Sequence, residues 1–443
     1  MQVSAAYALR MKALEQAGEK TGMSVSGLAP FDRRGHNRRV ILDALRRLGS
    51  ASRAELAATT GLSAQTLSSI ADDLCREGLL KIVGRRPSAR GQPPIDLAID
   101  RDGGFAVGIH VEHGRLTGVL ADLGAEIRDE MVLSCDTATP ETAIGAACLV
   151  VEGLVAAAAI DRARLWGVGI VLPGPFGPID LLPDPLSMAA WSRADFSGAY
   201  ATALKLPVLV GNDATAAAIG EHLHGVARDL RSFVYLYIAE GIGGGVFVDG
   251  QPATGAFGNA GEIGRMVVGI ADDGLTPMTL EDHASLDALR RRLSEAGLPE
   301  AASEEGARLF AARPDIVAAW RQSAARYLRI AVATVENLFD PETIVVGGPL
   351  PPLELKALIA ALDPLLPTVS LRKDRVQPRV MMGSAGRASP ALGGATMPLF
   401  RGLTPQPRAA RVPKGLRMAR QGAAPSGADS RSGAGATNGG AAR

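Results

Sequence analysis

Short apolar runs alternate with helical patterns from Phe105 to about residue 400, and this alternation constrains the fold more than any other feature of the 443-residue sequence. Such alternation is typical of α/β proteins. The runs fall into two similar series, so we predict two sheet-based halves, with a cleft formed by the loops at the strand ends. The predicted strands are Phe105–Val111, Arg115–Asp122, Glu126–Leu133, Leu165–Val171, Val208–Val210, Phe233–Ala239, Gly245–Val248 and Thr343–Val346, and the predicted helices are Glu141–Ala159, Ala214–Leu223 and Ile316–Asn337.

The first hundred residues have a different pattern, which predicts three short helices. Apolar residues recur at helical spacing from Asn37. Ser52 and Glu55 are placed to form a capping box for a second helix, Arg53–Thr60. A third helix begins at Ser63 after a glycine turn. This order of helices and turn is that of a helix-turn-helix unit.

The first exposed turns of the third helix are small, uncharged and able to form hydrogen bonds. A helix with such an N-terminus fits the major groove of DNA, where bulky side chains clash and glutamine reads a base edge. The residues that we expect to contact DNA in this way are Ser63, Gln65, Thr66, Ser68 and Ser69.

A basic loop follows this helix. The β-like runs Lys81–Val83 and Ile95–Ile99 flank a loop that contains Arg85, Arg86 and Arg90. A β-hairpin with a basic tip can contact phosphates or the minor groove, as the wing of a winged helix-turn-helix does. The alternative is a small helical docking module with a solvated basic loop.

Charge is divided unevenly along the chain. Residues 1–95 and residues 401–443 each carry a formal charge of +7, whereas residues 96–400 carry −13. This asymmetry indicates a part that meets a polyanion joined to a part that does not. Chance clustering of charges on solvated surfaces would give the same numbers.

Cysteine use and hydropathy predict a cytoplasmic protein with no membrane role. Cys75, Cys135 and Cys148 are odd in number and far apart, which favours neither a disulfide framework nor a cysteine-rich zinc site. The start of the chain lacks the apolar core of a signal peptide. The apolar stretch Ala143–Ile160 contains Glu152 and is predicted to be a core helix.

Four motifs, together with the predicted winged helix, resemble the ROK family, named for its repressors, open reading frames and sugar kinases. The resemblance covers residues 36–400 approximately. It implies an actin-like (ribonuclease H-like) sugar kinase fold of two lobes, with sugar held in the cleft between them. Family repressors resemble kinases that gained a DNA-binding domain. The motifs are Leu172–Pro175, Asn212–Ala214 with Gly220 and Glu221, Glu240–Gly245, and Gly255–Gly264.

The kinase positions that the resemblance implies are only partly kept. Asp213 stands at the position of the catalytic base, although an aspartate there would also cap the helix that begins at Ala214. His110 replaces the acidic residue of the first phosphate loop. Glu240, in the second loop, would place negative charge beside the phosphates. We therefore expect no catalytic residues, no ATP cofactor and no enzymatic activity.

The residues at the position of the family's zinc site also depart from the family pattern. Arg265 replaces its histidine, and residues 269–280 contain no cysteine, so we expect no metal. The histidines His222, His224 and His283 are interpreted as surface or core residues.

The sugar contacts implied by the resemblance are retained. They map onto Asn212, Asp213, Glu262 and Glu281, whose oxygens and amides suit ring hydroxyls. Arg265 could pair with Glu262 or Glu281, recognise an acidic or phosphorylated sugar, or merely brace the loop in place of zinc.

The sequence therefore predicts an α/β protein with four parts. These are a flexible extension at residues 1–33, a winged helix-turn-helix at 34–100, a sugar-kinase-like effector domain at 104–400 and a disordered basic tail at 401–443.

The function predicted from these parts is that of a transcriptional regulator. We expect a repressor of carbohydrate uptake or catabolism genes that binds a double-stranded operator, responds to a sugar or sugar derivative, and forms a homodimer or tetramer. The alternatives are an ATP-dependent sugar kinase with a fused DNA-binding domain, and a ligand-independent protein whose large domain only dimerises.

Overall fold

The structure is a computed structural model that describes residues 33–85, 94–137, 139–176, 196–384 and 386–403. It is an α/β protein with mixed sheets, as the alternating pattern predicts. The expected extension lies outside these residues except for Arg33, which begins a helix. Of the expected tail, residues 404–443 lie outside, and 401–403 belong to the last helix.

The N-terminal part has three helices and a small antiparallel sheet. The predicted capping box is confirmed, because the Ser52 side chain accepts from the Glu55 backbone N–H and the Glu55 carboxylate accepts from the Ser52 backbone N–H. The sheet order is β1-β3-β2. The elements are α1 (Arg33–Leu48), β1 (Ser50–Ser52), α2 (Arg53–Thr60), α3 (Ala64–Arg76), β2 (Leu80–Arg85) and β3 (Ile95–Ile99).

The first five-stranded sheet follows, in the order β6-β5-β4-β7-β8. The pairs β4–β7 and β7–β8 are parallel, and the other two are antiparallel. Buried apolar residues of α4 cover this sheet. The elements are β4 (Phe105–Glu112), β5 (Arg115–Asp122), β6 (Ile127–Ser134), α4 (Pro140–Ala157), β7 (Leu165–Leu172), α5 (Phe196–Leu204) and β8 (Val208–Asn212).

The second five-stranded sheet has the order β11-β10-β9-β14-β15, with β14 parallel to both neighbours. A separate hairpin, β12–β13, precedes its helical layer. The elements are α6 (Asp213–His224), β9 (Phe233–Ile238), β10 (Ile242–Val248), β11 (Gln251–Pro252), β12 (Val267–Ile270), β13 (Pro277–Thr279), α7 (Glu281–Ala284), α8 (Leu286–Glu295), α9 (Pro299–Ala302), α10 (Gly306–Ala311), α11 (Pro314–Phe339), β14 (Thr343–Gly347), α12 (Pro352–Ala360), β15 (Val380–Met382) and α13 (Ser389–Leu403).

The strand predicted to begin at Gly245 begins three residues earlier, at Ile242. Gly243, Gly244 and Gly245 pair with residues of β9 within β10. Glycine is needed here for close packing, because a Cβ at Gly245 would lie 2.3 Å from the Cβ of Ala218 on α6.

One described helix, α4, is long and apolar enough to cross a membrane by length and composition alone. Its side chains Val150, Val151 and Leu154 are buried in the core of the first sheet. This placement matches the predicted core helix.

Helices α6 and α13 cross in close backbone contact. A Cβ at Gly393 would lie 1.7 Å from the backbone oxygen of Ala216. Farther along α13, Leu399 and Leu403 are buried in the same apolar cluster as Ile41 of α1. This contact explains why α13 continues past the expected boundary at residue 400.

We predict that Gly393→Ala destabilises the protein, because its methyl group would overlap a main-chain oxygen. The free energy of unfolding should fall by about 3 kcal/mol or more. Gly145→Ala is the matched control: Gly145 lies in α4 with open space around its Cα, so the change should be neutral or stabilising by up to about 1 kcal/mol. Thermal unfolding of both variants measures this, and equal midpoints would contradict the close crossing.

Candidate functional site

The junction between β8 and α6 carries two of the predicted sugar contacts. Asn212 is the N-cap of α6, and its Oδ1 accepts from the Thr215 backbone N–H at 3.1 Å. Asp213 is the first helical residue, and its Oδ1 accepts from the Ala214 backbone N–H at 2.7 Å. The capping role therefore belongs to Asn212.

Glu262 approaches this junction from the second half of the chain. A Cβ placed on Gly174, just after β7, would lie 2.5 Å from Glu262 Oε1 and 2.8 Å from Asn212 Nδ2. Groups from β7, β8 and the loop after β11 therefore meet at one point. The structure brings Glu262 close to Asn212, the chain neighbour of Asp213.

Asn259 links the segment after β7 to the loop that carries Glu262, and sequence reasoning did not single it out. Its Nδ2 donates to the Phe176 carbonyl at 2.8 Å, and its Oδ1 accepts from the Phe176 backbone N–H at 2.7 Å. Phe176 follows the Leu172–Pro175 motif, so the pair fixes that motif against the Glu262 loop. The sequence signal for Asn259 is its place within the motif Gly255–Gly264.

Glu281 and Arg265 lie next to each other at the edge of the site. The distance between Arg265 Nη1 and Glu281 Oε1 is 3.6 Å, and both side chains are partly exposed. Of the alternatives for Arg265, the structure shows pairing with Glu281.

Burial perturbs two of the carboxylates. It raises the pKa of Asp213 to about 7, and the nearby charges of Glu262 and Glu112 add to this rise. Burial also raises the pKa of Glu262; the positive charge of Arg265 opposes this rise, and the negative charge of Glu281 reinforces it. Burial at this site therefore favours the protonated, neutral forms of Asp213 and Glu262.

Ion pairs lie at the strand end that the resemblance assigns to the first phosphate loop. The Arg115 guanidinium donates to both oxygens of Glu112 at 3.0 Å and to Glu305 Oε2 at 2.9 Å. Arg387 donates to the same Glu305 oxygen at 3.1 Å. His110 is buried in β4, and desolvation lowers its pKa to about 4.

Glu240, at the position that the resemblance assigns to the second phosphate loop, is paired with an arginine. Its two carboxylate oxygens accept from Arg290 at 2.9 and 3.1 Å. The negative charge expected there is thus balanced by a guanidinium of α8.

The histidines occupy packing positions. His222 is buried and lies 4.9 Å from the ring of Phe247, and His283 stacks on Tyr327 at 3.9 Å. Within the described ranges, no group of three or more His, Cys, Asp or Glu side chains could hold a metal ion.

The N-terminal residues predicted to contact DNA lie along the start of α3. Ser63 is its N-cap and accepts from the Thr66 backbone N–H at 3.2 Å. Ser63, Gln65 and Ser69 are exposed, whereas Thr66 and Ser68 are half-buried. In the hairpin that follows, Arg85 ends β2, and Arg86 and Arg90 lie outside the described residues.

The raised pKa of Asp213 predicts a pH-dependent effect of Asp213→Asn. An unfolded aspartate titrates near 3.9, so proton binding stabilises the native fold fully below about pH 4 and this stabilisation is lost as the pH rises through about 7. The asparagine cannot ionise. Between pH 5 and pH 8 the unfolding free energy of the variant should therefore rise relative to the native protein by roughly 2 kcal/mol.

Thermal midpoints across this pH range measure the effect. Asp249→Asn is the control, because it removes a carboxylate that is largely exposed. A stability difference between Asp213→Asn and the native protein that stays flat with pH would contradict the burial of the Asp213 charge.

Comparison with known proteins identifies the family. Residues 106–399 match the ROK family. An uncharacterised protein of Sinorhizobium fredii, y4fQ, is 30% identical over 375 residues, which are 82% of this chain and 91% of that protein. The xylose repressor of Bacillus spizizenii is 25% identical over 374 residues, which are 81% of this chain and 93% of the repressor.

Solved structures share the fold. A ROK family transcriptional regulator, described as a homolog of the E. coli MLC protein, is 23% identical with a TM-score of 0.63, covering 84% of this chain and 97% of its own. A ROK hexokinase from Thermus thermophilus is 25% identical with a TM-score of 0.50, covering 66% of this chain and 96% of its own. The match to the family over residues 106–399, the motifs and this fold together show that the chain belongs to the ROK family.

Proposed function

We propose that the protein is a DNA-binding transcriptional regulator, a repressor of carbohydrate uptake or catabolism genes that responds to a sugar effector. The observation that carries this is a helical N-terminal unit joined to a ROK domain in which the sugar positions are kept and charged residues of the chain fill the phosphate positions. Relatives named as xylose repressors support the same conclusion.

The DNA-binding part of the proposal is a winged helix-turn-helix at residues 34–100. Helix α3 is the recognition helix, and the β2–β3 hairpin is the wing, whose arginines are Arg85, Arg86 and Arg90. The acidic residues of α3, Asp72 and Asp73, lie in its second half, and Glu77, just after the helix, pairs with Arg38 of α1 at 2.9 Å. The uncharged first half is therefore the end suited to a groove lined by phosphates.

The share of the chain that each solved structure covers agrees with this proposal. The regulator structure covers 84% of the chain, whereas the hexokinase covers 66%. The first match therefore extends over more of the chain than the kinase-like domain, which we place at residues 104–400.

The effector part of the proposal uses the cleft between the two sheets of an actin-like fold. Asn212, Asp213, Glu262 and Glu281 supply oxygens and an amide for ring hydroxyls, and Arg265 braces Glu281. Sugar binding would favour one arrangement of the two halves.

We further propose a cytoplasmic homodimer or tetramer. Repressors with this kind of domain bind two half-sites about one helical turn apart, so an operator of two-fold symmetry requires a symmetric protein.

The second candidate is an ATP-dependent sugar kinase, which one observation favours. Asp213 keeps the base position, and a pKa of about 7 suits a general base. The phosphate positions argue against the kinase, because the carboxylate of Glu305 forms ion pairs with Arg115 and Arg387. A coupled ATP assay with hexoses, pentoses and amino sugars decides: turnover that Asp213→Asn abolishes would establish the kinase.

DNA binding is tested by an electrophoretic shift on the DNA upstream of the protein's own gene. We expect sequence-preferring binding that weakens steeply with salt. Gln65→Ala should weaken it by about 10- to 100-fold, because a glutamine–base contact contributes roughly 1–3 kcal/mol. Gln322→Ala, an exposed glutamine on α11, is the control and should bind as the native protein does. Binding with no sequence preference would contradict the proposal.

A further inference from the structure

The side chain of Asn259 makes a two-point contact with the main chain of the other half. Its Nδ2 donates to the Phe176 carbonyl at 2.8 Å, and its Oδ1 accepts from the Phe176 backbone N–H at 2.7 Å. A primary amide carries a donor and an acceptor side by side, as a backbone segment does. Phe176 follows β7 of the first sheet, and Asn259 lies in the loop between β11 and β12. This contact, which we call the Asn259 clasp, therefore joins the two halves.

The loop that carries Asn259 and Glu262 is anchored to the second sheet. Gly261 has a φ of +94°, and a Cβ there would lie 1.9 Å from the carbonyl oxygen of Gly244 in β10. A Cβ on Gly244 would lie 2.4 Å from Cδ1 of Ile263, whose side chain is buried. Glu262 therefore stands between two residues that pack against β10, and this packing fixes its position relative to the second sheet.

The proposed sugar contacts are divided between the two halves. Asn212 ends β8 of the first sheet, whereas Glu262 belongs to the anchored loop. Both side chains approach Gly174, because a Cβ there would lie 2.8 Å from Asn212 Nδ2 and 2.5 Å from Glu262 Oε1. Since the loop is fixed on its own sheet, the distance between Asn212 and Glu262 depends on how closely the two halves approach each other.

The Asn259 clasp sets this approach beside the site. Phe176 is two residues from Gly174, and Asn259 is three residues from Glu262. An N–H···O hydrogen bond spans about 2.7–3.2 Å, so the clasp forms only when the halves are as close as they are in this structure. The arrangement that makes the clasp is thus the one that brings Glu262 to Asn212.

We propose that Asn259 is a positioning residue, which clasps Phe176 as the cleft closes and thereby holds Glu262 at the sugar. This inference rests on the proposed sugar-binding function of the cleft. Asn259 acts through Glu262, since Phe176 engages both its amide nitrogen and its amide oxygen. The sugar and the clasp favour the same arrangement of the two halves, so each strengthens the other.

Two substitutions at Asn259 separate the hydrogen bonds of the clasp from the bulk of the side chain. Asn259→Ala removes both bonds. Asn259→Asp keeps the shape, and its carboxylate accepts from the Phe176 N–H but cannot donate to the Phe176 carbonyl, which raises the pKa of the new carboxyl by disfavouring the anion. Once protonated, that carboxyl has an O–H and can make both bonds. The clasp of the aspartate variant should therefore return as the pH falls, whereas the alanine variant cannot regain it.

Sugar affinity is measured by calorimetry on the full-length protein at pH 8.0 and pH 5.5, with xylose, arabinose, glucose, galactose and N-acetylglucosamine as probes. Each affinity is divided by that of the native protein at the same pH. This ratio cancels the titration of Asp213 and Glu262 and the charge of Arg265, which all variants share.

The two variants should differ in how their affinity ratios depend on pH. The loss of two hydrogen bonds should weaken binding of the recognised sugar by about 10-fold in Asn259→Ala at both pH values. Asn259→Asp should bind roughly 10-fold or more weakly than the native protein at pH 8.0 and recover by roughly 3-fold or more at pH 5.5.

Asn337→Ala is the matched control. Asn337 Oδ1 accepts from the Val369 backbone N–H at 3.3 Å, so it makes a similar contact with the main chain, but both residues belong to the second half. This variant should bind sugar as the native protein does. Thermal unfolding and binding to the upstream DNA fragment establish that all three variants are folded.

The outcomes distinguish this inference from the function on which it rests. Sugar binding by Asn259→Ala that equals that of the native protein would overturn the positioning role and leave a sugar-responsive regulator standing. A loss in Asn259→Asp that is the same at both pH values would overturn the two-point clasp as its cause. Binding of none of these sugars by the native protein, with DNA binding intact, would overturn the effector function together with this inference.

Discussion

The close crossing of α6 and α13 is the constraint on which the arrangement of the molecule depends. The crossing is so tight that a methyl group at Gly393 would overlap the Ala216 oxygen. A second link reinforces it: buried Glu221, near the end of α6, accepts from the Ser384 backbone N–H at 2.7 Å, just before the chain enters α13. Helices held at such a distance cannot slide without breaking main-chain contacts, so the two helices act as one rigid piece.

This rigid piece runs from the cleft to the N-terminal unit. Helix α6 begins at Asp213 and its N-cap Asn212, two of the proposed sugar contacts, and α13 ends with Leu399 and Leu403 in the same apolar core as Ile41 of α1. Packed side chains thus connect the two ends. We propose that a ligand in the cleft shifts α3, the proposed recognition helix, by this route.

Local signals predicted the parts of the structure whose causes are local. The Ser52–Glu55 capping box and the β8–α6 junction depend on residues within a few positions of each other. The Asn259–Phe176 clasp joins residues 83 positions apart, and the Arg115–Glu305 pair joins residues 190 apart. No local pattern encodes such pairs, and the same holds for the glycines of β10, whose purpose is the approach of α6.

The long-range ion pairs bear on the positions of this ROK domain that the resemblance assigns to phosphate binding. Arg115 belongs to the first sheet, and Glu305 lies between the helices α9 and α10 that follow the second sheet. Their contact therefore joins the two halves at the position where the family resemblance places nucleotide phosphates. In a kinase a bound nucleotide would supply anionic groups there, whereas this chain supplies a carboxylate of its own. The Arg115–Glu305 pair thus links the two halves through side chains of the chain itself.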